Sequence, residues 1–292
     1  MSDECFKYKG IQFSSRALTV KDLEFVEKEF QVREDDVFNI TYPKSGTIWM
    51  MEILSLIYTD GDPTWCKTVP CWNRVPWIEA PATEKQLQKK NCPRLFTSHL
   101  PRSHFCKSFS GSSAKIIYTV RNPKDAFVSL YYFAKRSIFF EEPESFDLLL
   151  DKYLSGDLPY GSWFDHIKGW MEMMGKENFL LNTYEDLQKD LRGSVKRICK
   201  FLGRILDDAA LDSVIENASF SNMHKNSMAY NILWADAIMK PGKNPFLRKG
   251  ISGDWKNHFS VAQCEYFDKV YKEKMCDFYV KFPWDSPLLE DS

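Results

Sequence analysis

The chain has 292 residues, 44% hydrophobic and 27% charged, with 39 Lys and Arg against 40 Asp and Glu. This composition excludes a disordered, collagenous or coiled-coil chain, and at about 150 residues per domain the length predicts one large domain or two small ones. The net charge of -1 argues against a general nucleic-acid binder, so an anionic ligand must be held by a few local cations.

The N-terminus, Met1-Ser2-Asp3-Glu4, is acidic and lacks the apolar region of a signal peptide. The eight cysteines show no C-x-x-C spacing and are scattered, which predicts reduced thiols in a cytoplasmic protein. An apolar run at 37–42 predicts a strand, and the turn Pro43-Lys44-Ser45-Gly46 leads into a predicted helix over 47–58. That helix is apolar almost all round apart from Glu52 and Ser55, so it is expected to be buried, and it is too short to span a membrane. A glycosylation sequon at Asn39 falls inside the first strand and is expected to be chance. Further strands are expected over 94–98, 115–120 and 179–184. Helices are expected over 124–140, with Asn122 as cap and Pro123 at the first position, and over 186–202, stopped by Gly203.

Apolar strands alternating with helices predict an α/β fold, one domain over 1–292 with a core at about 35–260, whose central parallel sheet is flanked by helices. Segments 61–92 and 226–246, rich in Trp, Pro or Gly, are expected to be lids over a binding site.

Thr41-Tyr42-Pro43-Lys44-Ser45-Gly46-Thr47 closes a strand and opens a helix, and this phosphate-binding strand–loop–helix is P-loop-like in its chemistry. A helix start offers free N–H groups and the positive end of a dipole. Lys44 adds charge, and Ser45 and Thr47 add hydroxyls. The G-x-x-x-x-G-K-[ST] spacing is absent. In an open parallel sheet ligands sit at the carboxyl ends of strands, where Lys44, His99, Arg121 and Tyr184 all fall.

The run T-Y-P-K-S-G-T-x-W resembles the phosphosulfate-binding loop of the cytosolic sulfotransferases, whose donor is 3′-phosphoadenylyl sulfate (PAPS). Three more blocks follow in the family's order: Thr97 to Pro101, Arg121 to Ser129, and Arg248-Lys249-Gly250 with Gly253-Asp254-Trp255-Lys256. The resemblance runs from about Gly10 to Trp284. The block Tyr160 to His166 is most similar to the hydroxysteroid branch, with an amine-sulfonating branch as a near relative.

The resemblance implies that Lys44, Ser45, Gly46 and Thr47 hold the phosphosulfate end of PAPS, that Ile48 and Trp49 also contact the donor, and that Arg121, Ser129, Arg248, Lys249 and Gly250 take its 3′-phosphate. It implies that Trp49 and Phe220 grip the adenine, that Tyr184 bonds its edge, and that Met223 lies nearby. Ala218 departs from the family's Thr or Ser, so a hydroxyl contact to the base is expected to be missing. His99 would be the general base, Lys44 would stabilise the leaving group, and Ser129 would position Lys44 or the 3′-phosphate. The sulfuryl group carries less charge than a phosphoryl group, so no metal is expected.

His99, Trp72, Trp77, Phe133 and Tyr230 are expected to line an acceptor pocket, with Phe139, Ile232, Leu233 and Trp234. Its apolar character suits a lipophilic alcohol such as a hydroxysteroid, a phenol or an amine. Residues 256–265 resemble the family's K-x-x-x-T-V-x-x-x-E dimer motif, with Ser260 in place of Thr, which implies a homodimer. Two other functions fit the sequence less well. A nucleotide kinase-like phosphotransferase lacks the Walker spacing here, and a non-catalytic adenosine-bisphosphate-binding protein would not need both Lys44 and His99.

Overall fold

The computed structural model describes residues 5–80, 93–230 and 247–285. Two short antiparallel strands, Cys5–Tyr8 (β1) and Ile11–Ser14 (β2), form a hairpin outside the main sheet. The main sheet is four parallel strands, Val37–Thr41 (β3), Leu95–Ser98 (β4), Lys115–Val120 (β5) and Phe179–Thr183 (β6), in the order β4-β3-β5-β6. The register sets Ile40 beside Ser98 on one side and Tyr118 on the other, and Val120 beside Thr183. All four carboxyl ends therefore finish along one rim.

Side chains alternate across the strands, and each face has its own core. Phe38, Ile40, Phe96, Ile116 and Tyr118 pack with helices Pro123–Ala134, Phe146–Ser155 and Trp163–Met171. That core also takes in Phe13 near the N-terminus and Phe282 near the C-terminus. Val37, Leu95 and Ile117 face helices Thr47–Tyr58, Leu191–Leu202 and Asp208–Asn217. The apolar Thr47–Tyr58 helix is buried from Met50 through Ile57, as its sequence requires. Glu52 is tolerated there because Arg74, itself fully buried, donates to it at 2.5 Å. Removing one partner of such a pair strands a buried charge, at a cost of about 3–5 kcal/mol. Asn39 is fully buried and its amide donates to Thr47 O and Thr97 Oγ1, so this sequon is structural.

Several boundaries differ from the sequence reading, the strands expected over 37–42 and 179–184 each ending one residue earlier. The second strand begins at Leu95, because Arg94 instead turns its guanidinium onto Asp36 at 2.7 Å. The helix expected over 124–140 ends at Ala134, just before Lys135, Arg136 and Ser137. The helix expected over 186–202 is two helices, Tyr184–Lys189 and Leu191–Leu202. Asp190 leaves helical geometry between them and caps the second through Gly193 N. Part of 61–92 is helical, at Thr64–Thr68 and Cys71–Arg74, whereas 81–92 and 231–246 lie outside the described residues.

Candidate active site

β3 stops at Thr41, and the chain turns through Lys44 at φ 71 and Gly46 at φ 98 into the Thr47–Tyr58 helix. A lysine in the left-handed region costs about 1–2 kcal/mol, and such strain is found at functional turns. At Gly46 a β-carbon would sit 2.9 Å from the Tyr184 ring, so only glycine allows the loop and that ring to meet. Ser45 is fully buried, and its hydroxyl has no hydrogen-bond partner among the described residues. The Lys44 ammonium lies 4.1 Å from the Phe133 ring centre. Burial pushes Lys44 down to about 7, and the charges of Arg121 and Arg248 push the same way.

Arg121 follows β5 and ties three parts of the rim together. It donates to Lys44 O and to Ile251 O, each at 3.0 Å, and its guanidinium stacks 4.2 Å from the Tyr184 ring. Its Nε is buried without a partner among the described residues. The distant segment Leu247–Gly253 is fastened there by Asp125, on the first turn of the Pro123–Ala134 helix, which accepts from Gly253 N at 2.6 Å and Trp255 N at 2.9 Å. Arg248 and Lys249 both pair with Asp254 at 2.7 Å. Burial would raise Asp254, but bonds from Lys249, Asn257, Arg248 and His258 hold it well below the usual carboxylate range.

One cavity of about 500 Å³ spans the rim. At one end it is lined by Lys44, Gly46, Thr47, Ile48, Trp49, Arg121, Ser129, Tyr184, Phe220, Met223, Arg248, Lys249 and Gly250. Every expected donor-site residue is thus brought together except Ser45, which is buried within the loop and does not line the cavity. Ala218 gains a role that its side chain did not suggest: its carbonyl accepts the Trp49 indole N–H at 2.8 Å. That bond orients Trp49 edge-on to Tyr184, with ring centres 5.2 Å apart.

The other end of the cavity is lined by Trp77, Glu79, His99, Phe133, Ile138, Phe139, Phe140 and Tyr160. His99 follows β4, and its Nδ1 lies 2.6 Å from Thr41 O. A carbonyl only accepts, so Nδ1 carries the proton and Nε2 keeps its lone pair. Burial drives His99 down to about 3 against the Thr41 bond, so the ring is neutral at physiological pH. Trp77 stacks obliquely on it at 4.5 Å.

Two acceptor-pocket expectations change. Trp72 does not line the cavity. Its short helix packs against Thr47–Tyr58 through the buried Arg74–Glu52 pair, and Trp72 joins the core on that face. Tyr230 ends a short helix, but its side chain lies outside the described residues, as do Ile232, Leu233 and Trp234. Glu79 and Tyr160 were not expected in the pocket. A lone Glu after Pro76-Trp77-Ile78 is the only trace of the first in the sequence, and the second opens the block Tyr160 to His166, which carried a resemblance but no role for Tyr160. Among the described residues no group of His, Cys, Asp or Glu is placed to hold a metal, and no helix is long and apolar enough to cross a membrane.

Comparison with known proteins agrees with this geometry. Residues 34–279 match the sulfotransferase domain family. Rat sulfotransferase 2B1 is 49% identical, over 98% of this chain and 84% of its own length. A guinea-pig 3-beta-hydroxysteroid sulfotransferase is 44% identical, over 98% of this chain and 99% of its own. Among solved structures, mouse sulfotransferase SULT7A1 complexed with PAP superposes with a TM-score of 0.78 at 32% identity, covering 94% of this chain and 96% of that one.

Proposed function

We propose that this chain, which belongs to the sulfotransferase family, sulfonates the hydroxyl of a steroid or similar lipophilic alcohol, with His99 as general base and Lys44 stabilising the leaving group. The chain is a PAPS-dependent sulfotransferase. The residues present suit that co-substrate: an unmatched Nε at Arg121, and four basic side chains, Lys44, Arg121, Arg248 and Lys249, at one end of the cavity. PAPS supplies the sulfuryl group. The chain's own residues bind, orient and move the proton.

Arg121, Arg248, Lys249 and Ser129 would take the 3′-phosphate by charge-assisted bonds, and the Lys44–Thr47 turn the phosphosulfate; their meeting in one cavity supports this reading. Trp49, Phe220 and Met223 offer the adenine an apolar slot, and Tyr184 its edge. Lys44 would offset charge growing on the bridging oxygen. The observation that carries the reading is the Nδ1–H bond from His99 to Thr41 O, which leaves Nε2 as a base in the same cavity. The apolar walls from Trp77, Phe133, Phe139 and Phe140 support a lipophilic acceptor, and the 3-beta-hydroxysteroid relative supports a steroid.

The test is His99→Ala. Turnover of a hydroxysteroid should fall by about 10²–10⁴ while PAP affinity is kept. Near-normal turnover would remove His99 from the role, and a panel of phenols and amines would reveal a different acceptor class. We also read the chain as a cytoplasmic homodimer. Cys66, Cys71, Cys106, Cys199, Cys264 and Cys276 are unbridged among the described residues, and Val261 of the motif is 76% exposed at the start of helix Val261–Met275.

A further inference from the structure

His99 has four polar groups, and three are held by neighbours. Its Nδ1–H goes to Thr41 O. Its main-chain N–H donates to Glu79 Oε1 at 2.9 Å, and its main-chain carbonyl accepts from His166 Nε2 at 3.2 Å. Glu79 is 2% exposed and His166 1%. Because Nε2 of His166 must carry the proton to reach a carbonyl, its Nδ1 is the acceptor for Tyr118 OH at 2.9 Å. Glu79 reaches His99 because residues 76–78 run beside β4, with Ile78 N donating to Thr97 O and Thr97 N to Pro76 O. Only Nε2 of His99 remains for chemistry.

Fixing a main-chain N–H needs one acceptor oxygen, which a buried amide would supply at less cost than a carboxyl. The second oxygen of Glu79, Oε2, is buried without a hydrogen-bond partner among the described residues. A buried polar atom left unmatched beside a catalytic base calls for a reason.

We propose that Glu79 and His166 are positioning residues that clamp the main chain of His99 from both sides, and that the unmatched carboxylate oxygen of Glu79 stabilises the positive charge formed on the imidazole as it takes the acceptor's proton. This rests on His99 being the base. Burial raises Glu79 to about 7, with the His99 amide and the Ser98 hydroxyl pulling the other way. The other titratable groups that feel it are Tyr160 and Cys106, both held neutral by burial. Below about pH 7 Glu79 still accepts the His99 N–H but carries no charge, and above it the carboxylate supports the imidazolium. The chemical step should therefore quicken as pH rises through that value.

The experiment measures kcat against pH at saturating PAPS, with PAP affinity as the check on folding, for Glu79→Gln, Glu79→Ala, His166→Phe and His166→Gln, in the parent and in His99→Ala. Glu79→Gln keeps an oxygen for the His99 N–H, so it should fold and lose the rise through neutrality. Glu79→Ala and His166→Phe should lose about 10–100-fold in kcat with acceptor KM little changed, as expected for misplacement of a reacting group. His166→Gln keeps a donor and should restore part of that loss. In His99→Ala the Glu79 changes should add nothing, because residues acting through one another are not additive. A Glu79→Gln enzyme that keeps the neutral limb, or a Glu79→Ala loss that recurs in full within His99→Ala, would overturn the clamp alone. Near-normal turnover by His99→Ala itself would instead overturn the base assignment beneath it.

Discussion

At the residue scale, Lys44 sits near its switching point before any ligand arrives. Burial lowers it to about 7, with Arg121 and Arg248 adding to the effect, so the free protein holds its charge far less firmly than an exposed lysine does. An anion bound against it favours the charged form and raises its pKa. Binding PAP at about pH 8, where the phosphates are already ionised, should therefore take up protons. Calorimetry in two buffers of different ionisation enthalpy measures that uptake directly. Lys44→Arg should abolish it, because a guanidinium is always protonated. Binding heats that do not depend on the buffer would show that Lys44 is not against the ligand. His99 behaves differently. Burial takes it to about 3, so an activity limb near neutrality belongs to another group: a rise with pH fits Glu79, and a fall fits loss of the Lys44 charge.

At the scale of elements, the donor end depends on segments far apart in sequence meeting closely. Gly250 has φ 67, and a β-carbon there would lie 2.1 Å from the Phe220 ring. Gly250→Ala should displace Phe220 and weaken PAP binding by about 10-fold or more, equal to about 1.4 kcal/mol. Titration of PAP into the variant checks this, and unchanged affinity would mean that Phe220 does not grip the nucleotide. Such meetings explain what could be read in the sequence. β3, its loop and the following helix were legible because an apolar run, a turn and an apolar helix are consecutive. Arg121 and Tyr184 were legible because parallel strands bring their carboxyl ends to one rim. The bond from Trp49 to Ala218 O was not, because it joins a side chain to a main chain 169 positions away. Trp72 was misplaced because a one-turn helix, Cys71–Arg74, gives too short a pattern to show which way it faces, and the buried Arg74–Glu52 pair decides it. The β1–β2 hairpin was missed because four-residue strands around Lys9-Gly10 leave little alternation to detect.

For the whole molecule, the helix that follows the donor segment faces outward. Ser260 caps it, in a capping box with Gln263, and leaves Val261 76% exposed and Tyr266 44% exposed on it. The resemblance of 256–265 to a family dimer motif places Val261 at its centre. In a two-fold contact the same patch faces itself, so a two-fold passing near Ser260 and Val261 sets Lys256 of one copy toward Glu265 of the other. Burying two valines yields about 3 kcal/mol at most, and interfaces below about 1,000 Å² are weak, so the dimer should depend on concentration. Sedimentation should show dimer at micromolar protein and dissociation on dilution. Val261→Glu would place two like charges at the axis and remove the apolar contact, so it should be monomeric at the same concentration. Its turnover should remain, because the helix lies away from the cavity-lining residues. A parent protein that stays monomeric, or a Val261→Glu variant that stays dimeric, would show that the two copies do not meet through this helix.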